Sequence, residues 1–523
     1  MSRRRPPGGG GGAHRDASVE VHSPLDGAVL GTVPLRGPDE VSAAVRRARA
    51  AQPAWACMTP RERSRILRRW AAIMVDRQDQ IAGLIRGETG KPEGEALTEL
   101  VVSVDLIHFY ANEARRHLRP RRVGTGWLLW KRAWVERVPV GVVGAITPWN
   151  YPLIIVVDAV AASVAAGNAV VLKPSEFTPL TALLLRDVMV EAGFPEDLVA
   201  VVTGDGQAGE ALVGGGVDHV LFTGSTATGR KVLQTAVSSL TPVTLELGGK
   251  DVAMVLADAD LERSARGVVF GAMFNAGQTC LSVERALVER SVFDGFVERV
   301  VELTSGLSVG TGPNSDVGPM VTGQQVYKVE EQIEDAVRRG AKVRCGGTRH
   351  PDNARIFLPT VVVDVNAGMT VVSEETFGPV LAILPVDDED HAVRVANELG
   401  YGLFASVWTG DRARGLDVGR RLEVGGFSVN DVLSHYAVPG LPVGGVKMSG
   451  FGRRRGTYSL DQLTHPRTVL VDRIGLRSEP WWFPYSAGGT RLFRALLHWR
   501  GYRGMRGLFR AARSFLGGQA HRR

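Results

Sequence analysis

From about residue 140 the chain alternates short apolar runs with longer stretches whose apolar residues recur at helical spacing. VGVVGAIT reads as a buried strand, 153–166 as a helix, and AVVLK as a second strand whose β-branched residues leave no polar face. The turn PSEFTP leads into a helix with Thr178 at its cap and Pro179 at its first position, where the missing N–H has no partner to lose, and this helix runs to Gly193. Strand-like 199–203, a glycine turn and strand-like 218–223 follow. Units of this length predict a parallel sheet with helices on both faces. The ligand crevice then lies at the carboxyl ends of the strands, in the loops after Thr147, Lys173 and Thr223.

Upstream, 38–118 reads as helices whose apolar stripes, as in ERSRILRRWAAIMVDRQDQIAGLI, are packing material. A second strand-and-helix unit begins near Gly249 and runs to about Pro442. Between them, WLLWKRAWVERV at 127–138 alternates like an exposed two-stranded ribbon suited to pair with 468–471, and such a ribbon needs something to pack on. The longest apolar stretch, 152–172, has the length of a membrane span, but Asp158, Gly167 and Asn168 interrupt it, so a buried helix followed by a buried strand is expected.

Length and composition narrow the class. A chain of 523 residues exceeds one ordinary core, and 44% hydrophobic with 22% charged residues excludes a wholly disordered, collagen-like or multi-span membrane protein. Three cysteines, Cys57, Cys280 and Cys345, are too few and too scattered for a disulfide framework or a four-thiolate zinc site, so a reducing compartment and no metal are expected. The formal charge of +7 is uneven, because 491–523 holds nine Arg and no acid. The remainder is slightly negative, and no nucleic-acid partner is expected. The first 18 residues carry arginine and glycine without the apolar segment of a secretory signal and read as a disordered tail.

Three sites carry candidate chemistry. Cys280 ends FNAGQTC, a glycine-containing turn after an apolar helix, where a buried inert thiol is the plain alternative. Glu246 lies in ELGGK at an apolar strand end, either paired with Lys250 or poised as a base. Asn150 lies in TPWNYP, where its amide can either hold a developing oxyanion or cap the next helix.

Taken in order, TPWNYP, GNAVVLKPSE, FTGSTATG, ELGGK, FNAGQTC, EETFGPV and PVGGVKMSGFGRRRG resemble the aldehyde dehydrogenase superfamily over roughly 20–475. The resemblance implies an α/β protein with a Rossmann-type, parallel-sheet cofactor domain (19–121 and 140–248) and an α/β catalytic domain (249–445). It further implies a small β-ribbon oligomerisation element (122–139 and 462–475) and leaves a basic, aromatic C-terminal extension (478–523). Cys280 matches the nucleophile that forms a thiohemiacetal and then a thioester, Asn150 the oxyanion donor, and Glu246 the base for hydrolysis, a carboxylate that acylating relatives commonly lack. Lys173 and Glu176 match residues at the adenosine ribose. Gly224, Ser225 and Gly229 form the turn near the pyrophosphate, and Glu375 and Phe377 match the pair at the nicotinamide ribose and ring. Trp149, Gly206 and Leu247 complete the implied cofactor positions. Glu176 would repel a 2′-phosphate, so NAD is expected ahead of NADP.

The implied reaction is NAD-dependent oxidation of an aldehyde to a carboxylic acid, against the rival of a non-enzymatic scaffold that retains the fold. GFGRRRG looks closest to bacterial succinate-semialdehyde-like or broad-specificity members, although no cation for a distal carboxylate is placed by motif. Val443 stands where the family often has an aromatic, and NDVLSHYAVPGLP before it lines the substrate entrance in relatives. The resemblance also implies a homodimer or a dimer of dimers, and the lack of a signal or spanning segment in the body leads us to expect the cytoplasm. Beyond the family core, Trp481, Trp482, Phe483 and Tyr485 precede a segment with Leu492, Phe493, Leu496, Leu497 and Trp499 on one helical face and Arg491, Arg494 and His498 opposite. Such a segment suits contact with an anionic membrane surface through inserted Trp481, Trp482 and the Leu492 face, while Gly501, Gly504 and Gly507 argue against one long helix.

Overall fold

The computed structural model describes residues 17–502 and 504–516. It divides into two units, Met1–Arg119 with Arg137–Pro466, and Pro120–Glu136 with Arg467–Arg523. The tail expected over 1–18 lies outside the described residues up to position 16. Ser18 already opens a strand, Ser18–His22, paired antiparallel with Val29–Pro34.

The first unit is the α/β fold that the alternating pattern predicts. One sheet runs Gly450–Phe451, Val243–Glu246, His219–Thr223, Val142–Ile146, Ala169–Lys173, Val199–Val201, parallel throughout except for its two-residue first strand. The chain steps from Val142–Ile146 toward one edge and then returns to build the other, so the direction of winding reverses beside that central strand. A crevice opens at such a reversal, at the carboxyl ends of the strands.

Local rules account for the elements around it. The stretch 152–172 resolves into the helix Ile154–Ala166, buried at every position, and the strand Ala169–Lys173, with Gly167 in the left-handed region between them (φ 101°). The helix Pro179–Ala192 follows Thr178 and ends at Gly193 with φ 102°. Thr178 makes no capping bond. Glu88, from the preceding helical segment, does so instead, its carboxylate accepting from the backbone N–H of Leu180 (2.7 Å) and Thr181 (3.0 Å).

Four helices, Pro38–Cys57, Pro60–Asp76, Gln78–Thr89 and Glu93–His117, close the first core, where Trp55 stacks on Phe194 and Trp70 meets the same ring edge-on. A second sheet has its own core and runs Lys342–Cys345, Thr360–Val363, Val380–Val386, Arg285–Glu289, Val252–Val255, Phe404–Trp408, Gly426–Val429, with only the Lys342–Cys345 edge antiparallel.

The second unit contains a three-stranded sheet rather than a two-stranded ribbon, in the order Thr464–Asp472, Lys131–Pro139, Arg121–Val123. Residues 127–130 form turns, because Trp127 and Trp130 are drawn into an aromatic cluster with Trp481: centroids lie 5.3 Å apart for Trp127 and Trp481 and 6.0 Å for Trp130 and Trp481. Trp481 is thereby taken up in packing and is not the free membrane anchor expected of it. Trp482 and Phe483 stay exposed. The extension forms two helices, Ala487–Gly501 and Met505–Leu516, broken at Gly504 (φ 78°), in keeping with the glycine spacing.

Candidate active site

Cys280 is presented by a strained turn. The helix Leu261–Met273 runs into Phe274–Gly277, where Asn275 and Ala276 have φ of 55° and 52°, and Gly277 is forced, since an added Cβ would stand 2.0 Å from the Gly378 carbonyl oxygen. Polar contacts hold the strain. Asn275 N donates to Glu95 Oε1 (2.9 Å), and Asn275 Nδ2 donates to the carbonyls of Asn150 and Gln278 (3.1 Å each). Asn150, buried, donates from Nδ2 to the Gln278 carbonyl (2.9 Å) and so faces the cysteine turn. It does not cap the following helix. Glu99 does, accepting from Leu153 N and Ile154 N (3.2 Å each), and Lys91 Nζ joins Glu99 (2.5 Å) to the Asn150 carbonyl (2.9 Å).

Lys91, Glu95 and Glu99 come from the region read as packing material. Their charges stand among apolar residues at ordinary helical spacing, and no local pattern marks them.

Glu246 closes the strand Val243–Glu246 opposite Gly450. It is not paired with Lys250, which is buried on Glu284 (2.5 Å) and Thr376 Oγ1 (2.9 Å). Its neighbour is Arg454, with Nη1 3.6 Å from Glu246 Oε2. Burial pushes the Glu246 carboxyl up to about 7, against the pull of Arg454 and with Asp158 reinforcing the rise. The Cys280 thiol is also pushed up, first by burial and then by the charges of Glu246, Asp251 and Glu375. A protonated thiol therefore shares its pocket with a carboxyl that exchanges protons near neutral pH.

A cavity of about 1010 Å³ occupies the crevice and touches Thr147, Lys173 and Thr223, the three loops expected to hold it. Lys173 is buried rather than a surface ion pair, donating to the Pro174 carbonyl (2.8 Å) with Glu176 3.6 Å away. Glu176 stands before the helix Pro179–Ala192, its side chain 39% exposed. Ser225 caps the helix Thr226–Val237 through Thr228 N (3.2 Å), and the helix lies so close to Leu247 that a Cβ on Gly229 would come within 2.5 Å of it. Gly206 opens the helix Gly206–Gly214 with nothing within 4 Å of an added Cβ, so its approach to the cavity is clear.

A second pocket, of about 200 Å³, shares Trp149, Gly224 and Ser225 with the first and reaches Glu246, Cys280 and Glu375. Glu375 Oε1 accepts from Gly249 N (3.1 Å), and burial, then Glu284, pushes its carboxyl up to about 7. Phe377 sits at φ 54°, its N–H held by Glu284 (2.9 Å), and its ring meets Trp149 edge-on at 5.4 Å. A long crevice with an ammonium and a carboxylate at one end, a capped helix N-terminus partway along and a thiol at the other end fits a dinucleotide.

On the other side of Cys280 lies a cavity of about 270 Å³, walled by Val102, Ile154, Ile155, Phe270, Phe274 and Leu433. Among the described residues lining it there is no Lys or Arg. Of its two carboxylates, Glu99 is paired with Lys91, while Glu95 accepts from Asn275 N at Oε1 and leaves Oε2 buried without a hydrogen-bond partner. The loop 430–442 contributes to this wall as expected, but Val443 does not line it and instead pairs its backbone with Arg454 (N–H to carbonyl, 2.9 and 2.8 Å).

The chain is similar to known proteins over most of its length. The model of the aldehyde dehydrogenase family matches residues 12–469. The chain is 40% identical over 478 residues to the 4,4'-diapolycopene aldehyde oxidase of Methylomonas sp, covering 91% of this chain and 90% of that protein. It is 38% identical to the NADP(+) succinate-semialdehyde dehydrogenase of Escherichia coli K12, covering 88% and 95% respectively. The crystal structure of an NAD-dependent aldehyde dehydrogenase from Sinorhizobium meliloti superposes with a TM-score of 0.86 at 36% identity, over 89% of this chain and 93% of that one. A thiol set between a dinucleotide crevice and an aldehyde-sized cavity, with a family match across nearly the whole chain, makes this protein an NAD(P)-dependent enzyme of the aldehyde dehydrogenase family.

Proposed function

We propose that the enzyme oxidises an apolar aldehyde without a distal charge to its carboxylic acid. The observation that carries this reading is the cavity beside Cys280, whose lining is mainly apolar and aromatic and includes no Lys or Arg. A semialdehyde would bring an ionised carboxylate against Glu95 and Glu99 with nothing to pair it, a loss of several kcal/mol, about 3–5. The relative named for 4,4'-diapolycopene aldehyde supports the same class, an aldehyde on a hydrocarbon frame. Each methylene buried in such a wall adds about 0.8 kcal/mol, roughly fourfold in kcat/KM. The test is a panel of n-alkanals against succinate semialdehyde, following reduced cofactor. Preference for the semialdehyde over hexanal would overturn the substrate class.

In this reading Cys280 Sγ bonds the aldehyde carbon and the carbonyl electron pair moves to oxygen, where the Asn150 amide and the Cys280 backbone N–H donate to it. The thiol proton passes to Glu246, which returns it to solvent. Bound NAD supplies the hydride acceptor that turns the thiohemiacetal into a thioester. Glu246 then takes a proton from water as the water oxygen bonds the acyl carbon, the C–S bond breaks with its electron pair returning to sulfur, and the acid leaves. Lys173 and Glu176 would hold the adenosine ribose, with Gly206 admitting the cofactor backbone, Ser225 and Gly224 facing the pyrophosphate, Gly229 acting behind them by letting its helix pack on Leu247, and Glu375, Phe377, Leu247 and Trp149 facing the nicotinamide end. Glu176 supports NAD over NADP, and a lower KM for NADP would contradict it.

Assembly and location belong to the same proposal. The strand Thr464–Asp472 is an edge of its sheet and exposes Leu470 (56%) and Val471 (42%), a surface suited to a second copy of this chain. A monomeric mass in solution at micromolar concentration would refute a homodimer or dimer of dimers. Three free cysteines, one of them the nucleophile, suit the reducing cytoplasm. The two terminal helices hold six Arg and no acid, and expose Leu508 (57%) and Phe509 (70%), which suits an anionic bilayer surface. Liposome co-sedimentation should fall in a Leu508→Glu, Phe509→Glu variant, and equal sedimentation would remove membrane contact. No helix among the described residues is long and apolar enough to cross a membrane.

A further inference from the structure

We propose that Arg454 is a positioning residue for Glu246, its buried guanidinium holding the carboxylate by charge in the pocket beside Cys280, and that Asp158 moderates that charge. The inference rests on the reading of Glu246 as the base.

The geometry is that of a buried clamp. Arg454 is 3% exposed, and its guanidinium is bound on every nitrogen. Nε meets Asp158 Oδ2 at 3.0 Å, Nη2 donates to the Ile155 carbonyl at 3.1 Å, and Nη1 donates to Thr223 Oγ1 at 2.6 Å while standing 3.6 Å from Glu246 Oε2. These contacts tie Arg454 to the helix bearing Asp158 and to the strand end that opens the cofactor crevice. The segment carrying Arg454 begins at Gly450, which pairs with Glu246 itself, and further along it the Arg454 backbone is fixed by pairing with Val443. Glu246 Oε1, by contrast, is buried without a hydrogen-bond partner. At 3.6 Å the Arg454–Glu246 contact is an ion pair rather than a hydrogen bond, so the guanidinium acts on the carboxylate through its charge.

The charges facing Glu246 are Arg454, Arg453 and Arg455 from the segment after Phe451, Asp158 from the helix Ile154–Ala166, Cys280 from its turn, and the Tyr436 hydroxyl from the short helix Ser434–Ala437. Arg455 is engaged with Tyr436, stacked 3.6 Å above its ring. Arg454 is the group with the largest opposing pull on Glu246, and Asp158 both holds that arginine and adds negative charge of its own. Removing either member should therefore move the ionisation of Glu246 in opposite directions. A merely structural role predicts no such opposition.

The experiment uses the full-length enzyme with NAD and octanal, separating the burst of reduced cofactor from the steady state across pH. Arg454→Gln should keep the burst, lower steady-state turnover at neutral pH by about tenfold and move the deacylation limb to higher pH. Arg454→Lys should restore part of both. Asp158→Asn, which keeps an acceptor for Nε, should move the limb to lower pH. An unchanged limb in Asp158→Asn, or shifts of the same sign in Arg454→Gln and Asp158→Asn, would overturn the proposal, and Asp158→Asn decides it if Arg454→Gln does not fold. Glu246→Gln keeps the two readings apart. If it accumulates acyl-enzyme while the Arg454 and Asp158 variants leave the limb in place, Glu246 stands as base and only the clamp fails.

Discussion

Replacing Asn150 with Ala tests the oxyanion site with little disturbance to the fold. The side chain is 2% exposed, so no bulk water stands ready to replace its amide. One Nδ2 hydrogen is used on the Gln278 carbonyl at 2.9 Å, which leaves the other for an oxygen at the aldehyde carbon. The Gln278 carbonyl keeps a second donor, Asn275 Nδ2 at 3.1 Å, so the substitution strands no carbonyl there and should cost only about 1 kcal/mol of stability. Loss of one preorganised donor in a dry site costs about 3–4 kcal/mol of barrier, or roughly 10²–10³ in kcat. Steady-state kinetics with an alkanal and NAD measures the loss, a thermal melt measures the stability, and thiol titration checks that Cys280 is intact. Asn150→Asp, which puts an anion where a donor stood, should lose at least as much. A kcat/KM within about threefold of the parent for Asn150→Ala, with a normal melt, would refute the oxyanion role.

Cys280→Ala should abolish dehydrogenation, while Glu246→Gln should give one equivalent of reduced cofactor per site and then stall as an acyl-enzyme, seen as added mass on Cys280. Steady turnover in either removes that residue from its role. Because burial holds the Glu246 carboxyl up at about 7, its basic form grows as pH rises, so steady-state turnover should climb about tenfold per pH unit below that value and level above it. A flat profile across that range for a deacylation-limited aldehyde would contradict the assignment. Gly229→Val would press a side chain into Leu247 where even a Cβ stands 2.5 Å away, and should cost about 1–3 kcal/mol of stability and raise the KM for NAD. An unchanged melt and KM would show that the helix there can shift freely.

The nature of the chemistry was legible along the chain. Cys280, Glu246 and Asn150 each have a plain structural alternative when taken singly, and it is the ordered set of motifs around them that identifies the family. The parallel sheet was legible for a local reason. A β-branched run such as AVVLK packs on both faces whatever its distant neighbours are, and Pro179 and Gly193 bound a helix through their own backbone limits.

Partnership was not legible, because a buried charge finds its counter-ion only after helices and sheets have packed. Lys91, Glu95 and Glu99 look like the polar side of a surface helix, yet packing turns them inward onto Asn150 and the cysteine turn. Glu246 looks ready for nearby Lys250, but the second sheet takes that lysine to Glu284 and folds Arg454 in its place. Trp481 reads as a membrane anchor until Trp127 and Trp130 claim it. The substrate class was hidden for the same reason. The hydrocarbon wall beside Cys280 is assembled from residues as far apart in the chain as Val102, Ile155, Phe270 and Leu433, and apolar side chains carry no local mark of the face they will share.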